Sequence, residues 1–187
     1  MPPKVKVTKE DIINAAVDIV REQGAQAINA RSIASALNCS TQPVFSNFET
    51  MEELRLAVVR KADELHQQYM QQEIASGAYP TYKATGMAYI RFAKEEKQLF
   101  QLLYMRDRSA EAIQEESALN GEMETIVHDH TGLRSPEAQL FHLEMWAYVH
   151  GIATMFATGF LDLEWELVSK MLTDSYQGLR KHYGLEV

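Results

Sequence analysis

The sequence predicts an all-α protein: an N-terminal three-helix unit of helix-turn-helix type, joined by a long helix to a second helical domain. Three observations predict it. Glycine and proline are sparse, 9 and 5 in 187 residues. Apolar residues recur at three- and four-residue spacing, not in alternation, and good N-cap residues stand where those periodic segments begin. No stretch reads as a strand.

Thr8 and Asp11 resemble a capping box with Asp in the Glu/Gln slot, opening a helix with one apolar stripe of Ile12, Ala15, Ala16, Ile19 and Val20, which Gly24 ends. Asn29 is a suitable N-cap for a helix over 30–37, and Ser40 for a very short one from Thr41 to about Asn47. Thr50 and Glu53 form a second capping box, starting a long helix through Leu54, Ala57, Val58, Ala62 and Leu65 toward Ala75. Gly77 to Pro80 is the first clear break. Helices are expected beyond it at about 81–94, 96–105, 108–130, 136–159 and 162–183. Gly132, Ser135 and Pro136 separate the third of these from the fourth, and Gly159 with Asp162 separates the fourth from the fifth. No internal repeat, low-complexity tract or flexible linker is visible.

With 46% apolar residues the chain can bury a core without staples. Its single cysteine, Cys39, implies neither an internal disulfide nor a multi-cysteine zinc site. No apolar run approaches the roughly 18–20 residues that cross a bilayer, so a cytoplasmic protein without membrane association is expected. The net charge of −8 is unevenly placed. Residues 1–60 hold 7 basic and 7 acidic side chains, whereas 61–187 hold 11 and 19, so the front is neutral and the back carries the deficit. Lys4, Lys6 and Lys9 precede the first acid, a short basic arm that can lie along a phosphate backbone.

Residues 29–48 supply what a helix-turn-helix needs: a bracing helix, a sharp turn, and a second helix whose N-terminal side chains reach base edges. Ile33, Ala34 and Leu37 give the first helix a buried side, with Ala34 small enough for close approach. Asn38 stands where the turn calls for a left-handed residue, Cys39 is expected to pack beneath it, and Ser40 to cap the second helix. In that helix Thr41, Gln42 and Ser46 can hydrogen-bond to bases or phosphates, Gln42 suiting adenine N6/N7. Pro43 and Val44 can touch a thymine methyl, and Phe48 anchors the far end in the core. Backbone N–H groups at the helix starts after Asn29 and Thr50 are candidate phosphate contacts.

Together these residues resemble the DNA-binding domain of the TetR family of transcriptional regulators, over about residues 6–66. The resemblance is carried by Thr8, Gly24, Ile33-Ala34, Ser40, Phe45-Ser46-Asn47-Phe48 and Thr50 to Leu54. It implies DNA contacts from Lys4, Lys6, Asn29, Arg31, Ser40, Thr41, Gln42, Pro43, Val44, Phe45, Ser46, Asn47 and Thr50. The chain departs from the family pattern where Tyr, His and Lys are usual, having Phe45, Asn47 and Met51 instead. It also has Asn38 at the turn glycine and Gln42-Pro43 at the small pair. Phosphate contact is therefore expected to shift to the basic arm and to backbone N–H groups.

The resemblance further implies that residues 67–187 dimerise through their last two helices, about 136–159 and 162–183, and hold a small-molecule inducer. Local sequence agrees with an extra apolar face: Leu140, Leu143, Ala147, Val149, Gly151, Ile152, Met155 and Phe156 make the first of these helices apolar around much of its circumference. The last contributes Trp165, Leu167, Val168, Met171, Leu172, Tyr176 and Leu179. Tyr89, Phe92, Phe100, Tyr104, Met105, Met123, Trp146 and His150 form a set that can line a pocket for a small apolar or aromatic effector. His128/His130 and His142/Glu144 are two residues apart, which on a helix points them in different directions, so no metal site is expected. Nucleophile-elbow, phosphate-loop and zinc-protease motifs are missing, and no enzyme and no cofactor are expected. The expectation is a homodimeric regulator, a repressor, on double-stranded operator DNA. The alternatives are a helical interaction protein that has lost DNA binding, and a helical enzyme.

Overall fold

The computed structural model describes residues 7–106 and 121–185, and every regular element among them is helical. The order is α1 (Lys9–Gln23), a short 3-10 turn (Ala25–Ala27), α2 (Ala30–Ala36), α3 (Gln42–Asn47), α4 (Met51–Ser76), α5 (Thr81–Glu95), α6 (Lys97–Tyr104), α7 (Gly121–Thr131), α8 (Glu137–Thr158) and α9 (Trp165–His182). The chain forms two compact units. Among the described residues the first comprises 7–67 with 96–106, and the second 68–95 with 121–185. The front unit thus includes α6, which the sequence pattern alone places in the back domain. The expected helix over 108–130 lies partly outside the described residues.

In the first unit, Thr8 Oγ1 accepts the Asp11 N–H at 3.1 Å while Asp11 accepts the Thr8 N–H at 2.9 Å, the capping box that opens α1. Ile12, Ala16 and Val20 are fully buried along one stripe, and the chain leaves the helix at Gly24, where φ is +85°. A side chain at that φ is strained, which explains the glycine. Ile33 of α2, Val44 of α3, Leu54 and Val58 of α4, and Leu99 and Phe100 of α6 are fully buried as well. α6 packs against α1, and Arg21 Nε and Nη2 grip both oxygens of Glu96 at 2.9 and 2.8 Å.

In the second unit α5 runs through the middle and buries Ala84, Met87, Ala88, Ile90, Phe92 and Ala93. Gly86 lets it come close to α8 and α9: a Cβ there would stand 3.1 Å from Leu172 Cδ2 and 3.4 Å from Val149 Cγ2. Lys83 Nζ donates to Ser169 Oγ (2.7 Å) and Thr173 Oγ1 (2.8 Å), tying α5 to α9. Tyr82, Val127, Ala138, Phe141 and Met145 form a buried cluster capped by Tyr176, Leu179 and Tyr183. No helix among the described residues is long and apolar enough to cross a membrane.

Candidate nucleic-acid interface and effector region

The bracing helix begins with a reciprocal cap. Asn29 Oδ1 accepts the N–H groups of Arg31 and Ser32, both at 3.0 Å, and Ser32 Oγ accepts the Asn29 N–H at 3.1 Å. Those N–H groups were expected to face phosphate. The cap takes them because a side-chain oxygen held within the same turn satisfies them without a ligand. At its other end α2 closes through a pair of turn bonds: Cys39 N–H to Ala34 O at 2.9 Å and Asn38 N–H to Ser35 O at 3.2 Å. This closure places Asn38 at φ +50°, the left-handed conformation expected of it.

α3 starts at Gln42 with Pro43 in its first turn, where a missing N–H breaks no helical bond. Ser40 does not cap it. Thr41 occupies the cap position in a helical conformation and makes no side-chain cap bond. Val44 is another correction: it is fully buried and, with Phe48, forms the side of α3 that faces the core, so it cannot meet a thymine methyl. Ser46 Oγ donates to Gln42 O at 2.9 Å and Asn47 Nδ2 to Pro43 O at 2.8 Å, so each spends a donor on its own helix. Gln42, Phe45 and Ser46 make the exposed face, Phe45 with 59% of its surface open.

The electrostatics around α3 are largely internal. Lys9 Nζ lies 2.8 Å from Glu53 Oε1 and 4.5 Å above the Phe48 ring, locking the start of α1 to the α3–α4 corner. Its hydrogen bond, and that from the Glu49 N–H at 2.9 Å, hold the Glu53 carboxyl below its usual range. Glu53 thus reaches back to residue 49, whereas the capping box predicted Thr50. Only the other half of that box forms, Thr50 Oγ1 accepting the Glu53 N–H at 3.0 Å. Arg31 is exposed and forms no ion pair among the described residues. Lys4 and Lys6 lie outside the described residues. No local sequence signal announces the Lys9–Glu53 pair, whose members are 44 residues apart.

The candidate effector residues fall into several groups. Tyr89, Trp146 and His150 come together in the second unit: Tyr89 Oη is 2.9 Å from His150 Nδ1, and the indole stacks on the imidazole at 4.9 Å and 20°. Partial burial holds His150 below its usual pKa. Phe92 is fully buried and meets Tyr69 edge-on, and Met123 packs on the cluster around Val127 and Phe141. Phe100, Tyr104 and Met105 belong to the first unit, where Tyr104 Oη is 2.9 Å from Nδ1 of buried His66 and Met105 is exposed. The histidines expected to point apart do so: His128 Nδ1 faces Leu133 O at 3.0 Å and His130 Nδ1 faces Ile126 O at 2.9 Å. Among the described residues no group of three or more His, Cys, Asp or Glu is placed to hold a metal.

A two-unit helical protein with a helix-turn-helix in its first unit is the class that this fold and site define. Residues 82–174 match the family model of the tetracyclin repressor-like C-terminal domain. The fold is shared with solved structures at 14–15% identity. One is a putative transcriptional regulator from Pseudomonas aeruginosa PAO1 (TM-score 0.71, 14% identity, 95% of this chain and 93% of that one). Another is a TetR-like transcriptional regulator from Rhodococcus sp. RHA1 (0.67, 15%, 96% and 98%). A third is a TetR-family member from Streptomyces coelicolor A3 (0.65, 15%, 89% and 96%). No curated protein matches the sequence. The chain belongs to the TetR family.

Proposed function

We propose that the chain is a homodimeric, DNA-binding transcriptional repressor released by a small molecule. Each subunit sets α3 into the major groove of one half of a roughly palindromic operator, and the two-fold axis fixes the half-site spacing. The observation that carries this reading is the α2–α3 turn. Asn38 in its left-handed conformation holds a short helix whose core side is Val44 and Phe48 and whose open side is Gln42, Phe45 and Ser46.

Dimerisation is supported by an apolar face that one chain leaves uncovered. Leu140 (52% exposed), Leu143 (48% exposed) and Ala147 lie three and four residues apart on α8, and Leu167 is exposed on α9 with Met171 half-buried. A second copy presents the same face to it. The effector binds the second unit, most of which lies within the match to the family's C-terminal domain. It favours the DNA-incompetent state, and α4, one unbroken helix from Met51 to Ser76, carries its change of tilt. By linkage, operator DNA must weaken effector binding by the factor with which effector weakens DNA binding.

Selection of bound sequences from a random duplex pool by the full-length protein tests the reading, with Gln42→Ala as control. A palindromic site should be enriched, and Gln42→Ala should lose preference at adenine positions. No enrichment, together with no salt-dependent gel shift on its own upstream DNA, would leave a helical interaction protein. Gel filtration should give a dimer at micromolar concentration, converted to monomer by Leu140→Glu with Leu143→Glu.

A further inference from the structure

We infer that Phe45 is the specificity-determining residue of α3 for thymine, reading the C5 methyl by apolar contact in the major groove. The inference rests on the DNA-binding reading above and assigns the step by which one base is chosen. An exposed phenylalanine by itself needs no explanation. This one stands on a six-residue helix without a charged side chain, whose other apolar members are Val44, held inward, and the half-buried Pro43. Val44 is fully buried and Phe48 nearly so, leaving Phe45 as the one large apolar side chain that α3 turns outward. Its phenyl ring has no hydroxyl and cannot grip a phosphate oxygen.

The polar side chains beside it narrow the possibilities. With its proton on Gln42 O, Ser46 Oγ offers a groove only lone pairs, and half-buried Asn47 spends one of its two amide N–H donors on Pro43 O. Gln42 is exposed three residues before Phe45, and residues at that spacing share a helix face. A carboxamide that can pair with adenine N6 and N7 therefore stands beside a ring able to cover a methyl group. In the major groove thymine is the base that presents a methyl. The pair reads neighbouring positions of an A·T-containing step, Gln42 by hydrogen bonds and Phe45 by excluding water from the methyl.

The experiment is a uracil scan of the operator selected by the full-length protein, in which deoxyuridine replaces each thymine in turn and removes only the methyl. One thymine per half-site should be sensitive, with affinity falling about fourfold at each, the ratio expected from one buried methyl group. With Phe45→Ala that sensitivity should vanish and the selected consensus should relax at the same position. Phe45→Tyr, which keeps the ring, should retain it. The side chain is exposed, so these variants should keep the wild-type helical circular-dichroism spectrum. A flat uracil scan on a well-bound operator, or a Phe45→Ala variant weakened equally on all sequences, would overturn the inference and leave the DNA-binding reading standing. Failure to select any DNA would overturn both.

Discussion

Asn38 shows how much a single backbone conformation decides. At φ +50° it closes α2 and aims α3, and a β-branched residue at that φ is strained by about 1–2 kcal/mol. Asn38→Val should lower unfolding free energy by roughly that amount in urea titrations, while Asn38→Gly should stay within about 1 kcal/mol of wild type. His66 makes a different demand on the same unit. Its ring is 4% exposed, and loss of hydration pushes its pKa down from 6.5 to about 4. The unfolded chain therefore binds this proton more readily than the folded one. The stability from keeping the ring neutral is complete above pH 6.5 and is lost as pH falls toward 4. The loss approaches about 3 kcal/mol at most for a shift of this size. Urea titrations across that interval should show the decline, and His66→Leu should flatten it. Equal declines in both proteins would assign the acid sensitivity to other groups.

Among the elements, α5 is fixed by how closely its neighbours approach it. A Cβ at Gly86 would press on Leu172 Cδ2 at 3.1 Å, a methyl that can yield a few tenths of an ångström, so Gly86→Ala should be near neutral once the gain in helix propensity is included. Gly86→Val brings two further methyls toward Leu172 and Val149 and should destabilise by about 1–3 kcal/mol in thermal or urea unfolding. The helices whose ends are marked by local chemistry were legible in the sequence. Thr8 and Gly24 bound α1, Asn29 opens α2, and Gly159, at φ +69°, closes α8. What escaped had no local signal or had two equivalent ones. The 3-10 turn at Ala25–Ala27 arises from closure of the chain around Gly24, not from any periodicity. In α3, six residues make less than two turns, so periodicity alone cannot tell whether Val44 or Phe45 faces inward; packing of Val44 beside Phe48 decides it. The Tyr89–His150 and Lys83–Thr173 contacts join residues 61 and 90 positions apart, which no window on the sequence relates.

At the scale of the whole molecule, a protein of net charge −8 is proposed to bind a polyanion, and its ion pairs set the terms. Of the 7 basic residues among the first 60, Lys9 is paired with Glu53, Arg21 with Glu96 and Asp18, and Arg55 with Glu52. Arg60 is exposed on α4 and helps to hold Glu53 ionised. Arg31, exposed and without an ion pair among the described residues, and by sequence Lys4 and Lys6 ahead of α1, are the cations proposed to displace counterions from phosphate. Three phosphates neutralised per subunit give a dimer a slope of roughly −5 in a plot of log association constant against log salt. A protein that gripped phosphate with every basic residue of its front unit would fall much more steeply. Fluorescence anisotropy on the selected operator at salt concentrations from about 50 to 300 mM should return the shallow slope. Lys4→Ala with Lys6→Ala should flatten it by about 3 to 4 units, and a wild-type slope near about −10 would mean that Lys9, Arg21 and Arg55 abandon their carboxylates for DNA.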